Sequence, residues 1–161
     1  FAAAEIDGPV YIRVARPVCE DITTEDTPFI PGKANILKDG NDVCIITMGL
    51  MVPIVLKAAE MLEAEGISAA VVNMHTVKPI DAETILAMNE KCKGIVTAEE
   101  HSVIGGLGSA VAEVLAGHAG AKFERVGIQD KFGKSGKPDE LFAAYGLTAE
   151  NIVEKCKATL A

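Results

Sequence analysis

Two carboxylates and an imidazole stand side by side in Glu99-Glu100-His101, just ahead of a glycine loop, Gly105-Gly106-Leu107-Gly108, and a helix opening at Ser109. An imidazole beside a carboxylate keeps a proton available near neutral pH, so His101 with Glu100 has the composition of an acid–base unit. No nucleophile or cofactor partner is visible beside it, and a structural or interface histidine fits the same residues. The glycine turn also has the form of a phosphate loop, in which amides of Gly106, Gly108 and Ser109 at a helix start would meet an anion. A dinucleotide loop needs a third small residue where this chain has Val111, and an acidic ribose ligand that is missing. Glu99 and Glu100 would also repel a pyrophosphate. Glycines that merely permit a tight turn explain the loop more simply, with room left for a single anionic group.

Other residues could join this chemistry. His75, in Asn73-Met74-His75-Thr76, ends the preceding strand, so a parallel topology puts it on the same sheet edge as His101. Arg13 and Arg16 flank a strand end before Pro17. They read as surface charge or as a fork for a phosphate or carboxylate, a geometry that arginine serves well. Ser135-Gly136-Lys137-Pro138 lacks the upstream glycines of a P-loop and reads as a turn before a helix. His118, between Gly117 and Ala119, reads as a solvated loop residue. Three histidines without paired spacing define no metal site.

The elements that must hold these groups show a regular alternation. Ala34–Lys38 is a short strand, Asp39-Gly40-Asn41-Asp42 a hairpin-type turn, and Val43–Met48 a continuous apolar strand buried on both faces. Pro53–Glu65 fits a helix stopped by Gly66, with an apolar stripe at Val55, Ala58, Ala59 and Leu62. Ile67–Met74 is a strand, and Asp81 caps a helix reaching Cys92. The strand Gly94–Ala98, a helix over Ser109–Ala116 and the strand Lys122–Ile128 follow. Helices over Pro138–Tyr145 and from Thr148 to Leu160 close the chain. This pattern predicts an α/β fold: three layers, α/β/α, around a mostly parallel five-stranded sheet with one antiparallel edge strand, Ala34–Lys38. Residues 1–30 differ. A strand-like run, Pro9–Ala15, and a polar linker cannot form a core alone, and they read as the tail of a preceding domain. Residues 31–161 make the complete domain.

Composition narrows the function classes. The 161 residues are 49% hydrophobic with no low-complexity block, which argues against disorder. No apolar stretch approaches the roughly 20 residues of a membrane helix. The start, Phe1-Ala2-Ala3-Ala4-Glu5, has no signal-peptide pattern, and the missing initiator Met points to a fragment or a processed chain. A net charge of -8 without a basic stripe argues against nucleic acid. Cys19, Cys44, Cys92 and Cys156 have neither disulfide-framework nor metal-ligand spacing, which predicts four reduced thiols in a cytoplasmic protein.

Taken in order, several segments resemble the C-terminal part of transketolase. They are Lys38-Asp39-Gly40-Asn41-Asp42-Val43, Thr47-Met48-Gly49, Met74-His75-Thr76-Val77-Lys78-Pro79-Ile80-Asp81, Glu99-Glu100-His101-Ser102 with its glycine loop, and Ser135-Gly136-Lys137-Pro138 with Leu141 and Tyr145-Gly146-Leu147. The resemblance spans nearly the whole chain and is closest to the C-terminal subunit of split bacterial or archaeal transketolases. The relatives are 1-deoxyxylulose-5-phosphate synthase and the E1 β subunits of 2-oxo-acid dehydrogenases. The synthase typically has Asn after its paired acidic residues, so His101 favours transketolase. The resemblance implies transfer of a two-carbon ketol unit between sugar phosphates, with thiamine diphosphate and Mg²⁺ as cofactors. It implies that both sit between N-terminal pyrophosphate- and pyrimidine-binding domains, on this polypeptide or a partner subunit, across a homodimer interface. The motifs for holding them are absent here, so this chain alone is expected to bind no cofactor and to be inactive. Pro9–Ala15 would be the last strand of the pyrimidine domain. Arg16 would then grip the sugar phosphate, with Arg13 as a second candidate, although Ala15-Arg16-Pro17 departs from the Ser-Arg-Gln of many transketolases. The family's third domain binds no cofactor directly, which places His101 and the glycine loop at a domain or subunit contact. A non-catalytic assembly module binding a small anion at the Ser109 helix is the alternative of another class.

Overall fold

In the computed structural model, which describes residues 1–161, one helical turn, α1 (Ala2–Glu5), precedes a long unpaired arm. The elements then run β1 (Asn35–Lys38), β2 (Val43–Thr47), α2 (Met51–Ala64), β3 (Ala69–Asn73), α3 (Ala82–Lys91), β4 (Gly94–Ser102), α4 (Leu107–Leu115), β5 (Lys122–Ile128), α5 (Pro138–Ala144) and α6 (Ala149–Leu160). The five strands form one sheet in the order β1-β3-β2-β4-β5. All pairs are parallel except β1 with β3. No helix is long and apolar enough to cross a membrane.

The central strand shows why the sheet needs two covering layers. Val43 and Ile45 face one cluster with Val55, Ala58 and Leu62 of α2 and Ile152, Val153 and Cys156 of α6. Cys44 and Ile46 face a second cluster with Ile85 and Met88 of α3 and Leu107 and Val111 of α4. Val43 through Ile46 are completely buried. Each such side chain contributes about 1.5–3 kcal/mol relative to exposure, so the continuous apolar run is what a two-faced strand requires. Asp81 and Thr84 fix the start of α3. The Asp81 carboxylate accepts hydrogen bonds from the Thr84 amide at 3.1 Å, the Thr84 hydroxyl at 2.8 Å and the Ala34 amide at 2.9 Å. Burial by itself would raise the pKa of Asp81. These bonds, with the nearby Lys33 ammonium, outweigh it and hold the carboxyl below its usual range.

Three expectations are corrected. First, β1 does not pair with β2 as a hairpin: β3 lies between them. The Asp39-Gly40 turn carries the chain across the start of β3, and a Cβ on Gly40 would collide with the Ala69 and Ala70 backbone, so only glycine fits that crossing. Second, Pro9–Ala15 forms no strand. Its β-branched residues have no ladder partner in this chain, and Tyr11, Ile12, Val14 and Val18 are 91%, 66%, 82% and 100% exposed. Third, β4 runs four residues past Ala98, so Glu99-Glu100-His101 lie within the strand rather than beyond its end.

Candidate functional site

Where the parallel strands end, the chain order creates a crevice. From β2 the chain passes to β3 on one side and then to β4 on the other, so the sheet's topological switch point lies between the C-terminal ends of β2 and β4. Ligands of open α/β sheets bind at such points. The β2–α2 turn contributes Gly49, held at φ +59°, and β4 contributes Glu99, Glu100 and His101.

A bulge aims these side chains. Ala98 pairs with Val126, but the next aligned pair is Ser102 with Ile128, so β4 carries two extra residues there. Gly127 makes room for the bulge: a Cβ on it would lie 2.9 Å from the His101 carbonyl oxygen. Bulges of this kind re-aim side chains at the ends of strands. Glu99 turns under the glycine loop, and its carboxylate accepts the Leu107 and Gly108 amides, both at 2.8 Å. Gly106 is the residue before α4, and a Cβ on it would collide with the Glu99 Oε2. A Cβ on Gly108 would strike Thr97 and Arg125. The Ser109 hydroxyl bonds the Gly105 amide at 2.9 Å and the Val103 carbonyl at 3.2 Å. The helix starts at Leu107, two residues ahead of the predicted position, because this internal carboxylate caps it. The Leu107 and Gly108 amides and the room at Gly106 are thus taken by Glu99, while the Ser109 hydroxyl is held within the loop by Gly105 and Val103.

Glu100 points elsewhere. Its Oε1 lies 2.5 Å from the Arg13 Nη2, with the Glu100 side chain 11% exposed and that of Arg13 45% exposed. The same guanidinium comes within 3.9 Å of where a side chain on Gly49 would begin, so the N-terminal arm lies across the switch point. Arg16, three residues on, is exposed and takes part in no ion pair. His101 is exposed, with Nδ1 3.2 Å from the Ser102 carbonyl oxygen. No hydrogen bond joins it to Glu100, so the two do not form an acid–base pair.

His75 follows β3 on the same sheet edge, with the width of β2 between it and His101. Its Nδ1 is 2.9 Å from the Thr76 hydroxyl, its ring stacks on Phe29 at 4.3 Å, and its Nε2 is buried without a partner. Burial pulls this imidazole below its usual pKa. His118 and Ser135–Lys137 are exposed, and the Lys137 amide donates to Glu140 at 3.2 Å at the start of α5. A groove of about 510 Å³ runs along β5, and its cations are already engaged: Lys155 with Glu124, Arg125 with the Val103 carbonyl. No cluster of three or more His, Cys, Asp or Glu side chains is arranged to hold a metal. With Glu99 filling the glycine loop, the Leu107 and Gly108 amides are not open to a diphosphate there.

Residues 32–152 match the model of the transketolase C-terminal domain, over more than half of the chain. The chain belongs to the transketolase family. It corresponds to the family's C-terminal section. It is 49% identical over 147 residues to the 6-deoxy-6-sulfo-D-fructose transketolase subunit SqwH of Clostridium sp. (strain MSTE9), covering 91% of this chain and 46% of that protein. It is also 49% identical to a putative transketolase C-terminal section of Methanocaldococcus jannaschii, covering 94% and 48%. A 1-deoxy-D-xylulose-5-phosphate synthase of Symbiobacterium thermophilum is 37% identical, covering 96% and 24%. Among solved structures, a split-gene transketolase described as an inactive β4 tetramer superposes with a TM-score of 0.94 at 48% identity, covering 99% of this chain and 52% of that one. The chain thus spans about half the length of the transketolase relatives it matches and a quarter of the synthase.

Proposed function

We propose that this chain is the C-terminal part of a thiamine diphosphate- and Mg²⁺-dependent transketolase that moves a two-carbon ketol unit between sugar phosphates in the cytoplasm. The cofactor, when bound, supplies the carbanion chemistry and is held by N-terminal domains or a partner subunit. The chain's own contribution is to carry the arm and position Arg16 for the sugar's terminal anion. The unpaired arm is the observation that carries this reading. Its β-branched residues stand in solvent, as a strand does when the rest of its sheet is elsewhere, and its free arginine lies just past the strand-like run. This supports residues 1–30 as the end of a pyrimidine-binding domain and residues 31–161 as the domain that braces it, with His101 and Glu100 at the domain or subunit contact. Two such enzymes would pair as a homodimer.

The test is reconstitution with the N-terminal part, followed by assay with xylulose 5-phosphate plus ribose 5-phosphate. Ketol transfer is expected, and Arg16→Ala raises KM for both sugars. Turnover of pyruvate plus glyceraldehyde 3-phosphate instead would favour a deoxyxylulose phosphate synthase, a class to which several relatives belong. Tight, Mg²⁺-dependent binding of thiamine diphosphate to the isolated 161 residues in calorimetry would refute the division of labour.

A further inference from the structure

We infer that Glu100 is a positioning residue for the substrate's terminal anion, acting through Arg13 to fix the arm on which Arg16 is carried. The inference rests on the proposed phosphate role of Arg16 and goes beyond it by giving this domain a residue that sets substrate affinity.

The argument starts from how little else holds the arm. Between Asp7 and Thr23 the single hydrogen bond of any kind is the one from Arg13 to Glu100. The backbone of that stretch pairs with nothing, and its apolar side chains stand largely in solvent. Within this chain, one charge-assisted contact ties the arm to the domain at the crevice, ahead of the groove where Pro17, Val18 and Cys19 lie beside α2 and α5. Its far end is well fixed. Glu100 is 11% exposed in the bulge between the Ala98 and Ser102 pairs of β4 with β5, and the bulge turns its carboxylate out to the crevice while Glu99 turns in to the helix. Neighbouring glutamates thus divide the work, one capping α4 and one holding the arm. Arg13 has its charge spent on Glu100, so it is not the free cation of this segment. Arg16 is, and three extended residues separate it from the anchor by about 10 Å. An anchor that close sets the reach of Arg16 toward a ligand in the crevice without touching the ligand itself.

In the reconstituted holoenzyme, Glu100→Gln keeps the side-chain shape and removes the charge. KM for a phosphorylated ketose donor is expected to rise about fivefold, between what an exposed and a buried ion pair supply. The kcat, and KM for the same ketose without its phosphate, are expected to stay unchanged, a split that general destabilisation would not produce. Arg13→Gln, which removes the other partner of the same pair, is expected to give the same rise. The double variant is then no worse than either single one, because both remove one contact. An unchanged KM in Arg13→Gln and Glu100→Gln, while Arg16→Ala raises it, overturns the positioning role and leaves the phosphate reading standing. An unchanged KM in Arg16→Ala overturns the phosphate reading and this inference with it. Additive effects of the two single variants, or equal effects on phosphorylated and unphosphorylated donors, also overturn it.

Discussion

Removing the charge of Glu99 should cost this domain more than any other single-atom change at the sheet edge. The side chain is 3% exposed, and its two oxygens each accept a helix-start amide at 2.8 Å. In Glu99→Gln the amide oxygen keeps one of these bonds. The NH₂ group then faces the other backbone N–H, donor against donor, in a site without water access. Losing a charge-assisted hydrogen bond costs about 1.5–3 kcal/mol, and an orphaned buried amide about 1–3 kcal/mol. These overlap, since both describe the same amide, and the loss of a carboxylate at the positive helix end adds about 0.5 kcal/mol. The expected total is about 3 kcal/mol, or about 9 °C in Tm for a domain of this size. Urea unfolding of the 161-residue chain, followed by circular dichroism and fluorescence in parallel, reads it directly. Gly106→Ala should do comparable damage, because its Cβ would collide with the Glu99 Oε2. The Glu99→Ala/Gly106→Ala double variant should then be no less stable than Glu99→Ala. A cost below about 1 kcal/mol for Glu99→Gln would refute the capping role. So would a saturable phosphate-induced rise in the Tm of the unaltered chain, since it would show the amides open to an external anion.

Two further outcomes test other parts of the structure. The carboxyl of Asp81 is held below its usual pKa, so it binds fewer protons folded than unfolded; its stabilisation is complete above about pH 4 and is lost as pH falls through the folded value. Asp81→Asn should cost about 1 kcal/mol at pH 7 and flatten the acid limb of a Tm-against-pH curve below about pH 4; an unchanged limb would contradict the assignment. Burial pushes the thiols of Cys44 and Cys92 up and that of Cys156 up to about 12, whereas Cys19 is exposed. A thiol reagent at pH 8 should therefore label one cysteine in the native chain and four in denaturant, and a second fast-reacting native thiol would count against this packing.

Features that depend on neighbouring residues are legible in the sequence alone. The apolar stripe of α2, the caps Asp81 and Thr148, the stop at Gly146 and the apolar run of β2 each carry their cause within a few residues. They yield the three layers and the antiparallel edge, and the ordered motifs point to the family. Local rules have no purchase on what joins distant segments. The Asp39-Gly40 turn reads as a hairpin, yet β1 pairs with β3, because both edges of β2 are taken by parallel strands whose helices cover its faces. Pro9–Ala15 has strand composition, but a strand exists only where another offers a ladder.

The same division runs through the site. Residue types announce an acidic pair, an imidazole, a glycine turn and two arginines on one chain, and their spacing places most of them at strand ends. Composition cannot say that Glu99 caps α4 from inside, that Glu100 reaches 87 residues back to Arg13, or that His101 is left outside both arrangements. Those depend on a two-residue bulge and on the order of strands in space. A carboxylate's role follows from which N–H groups stand within about 3 Å of it, and that distance is a property of the folded chain.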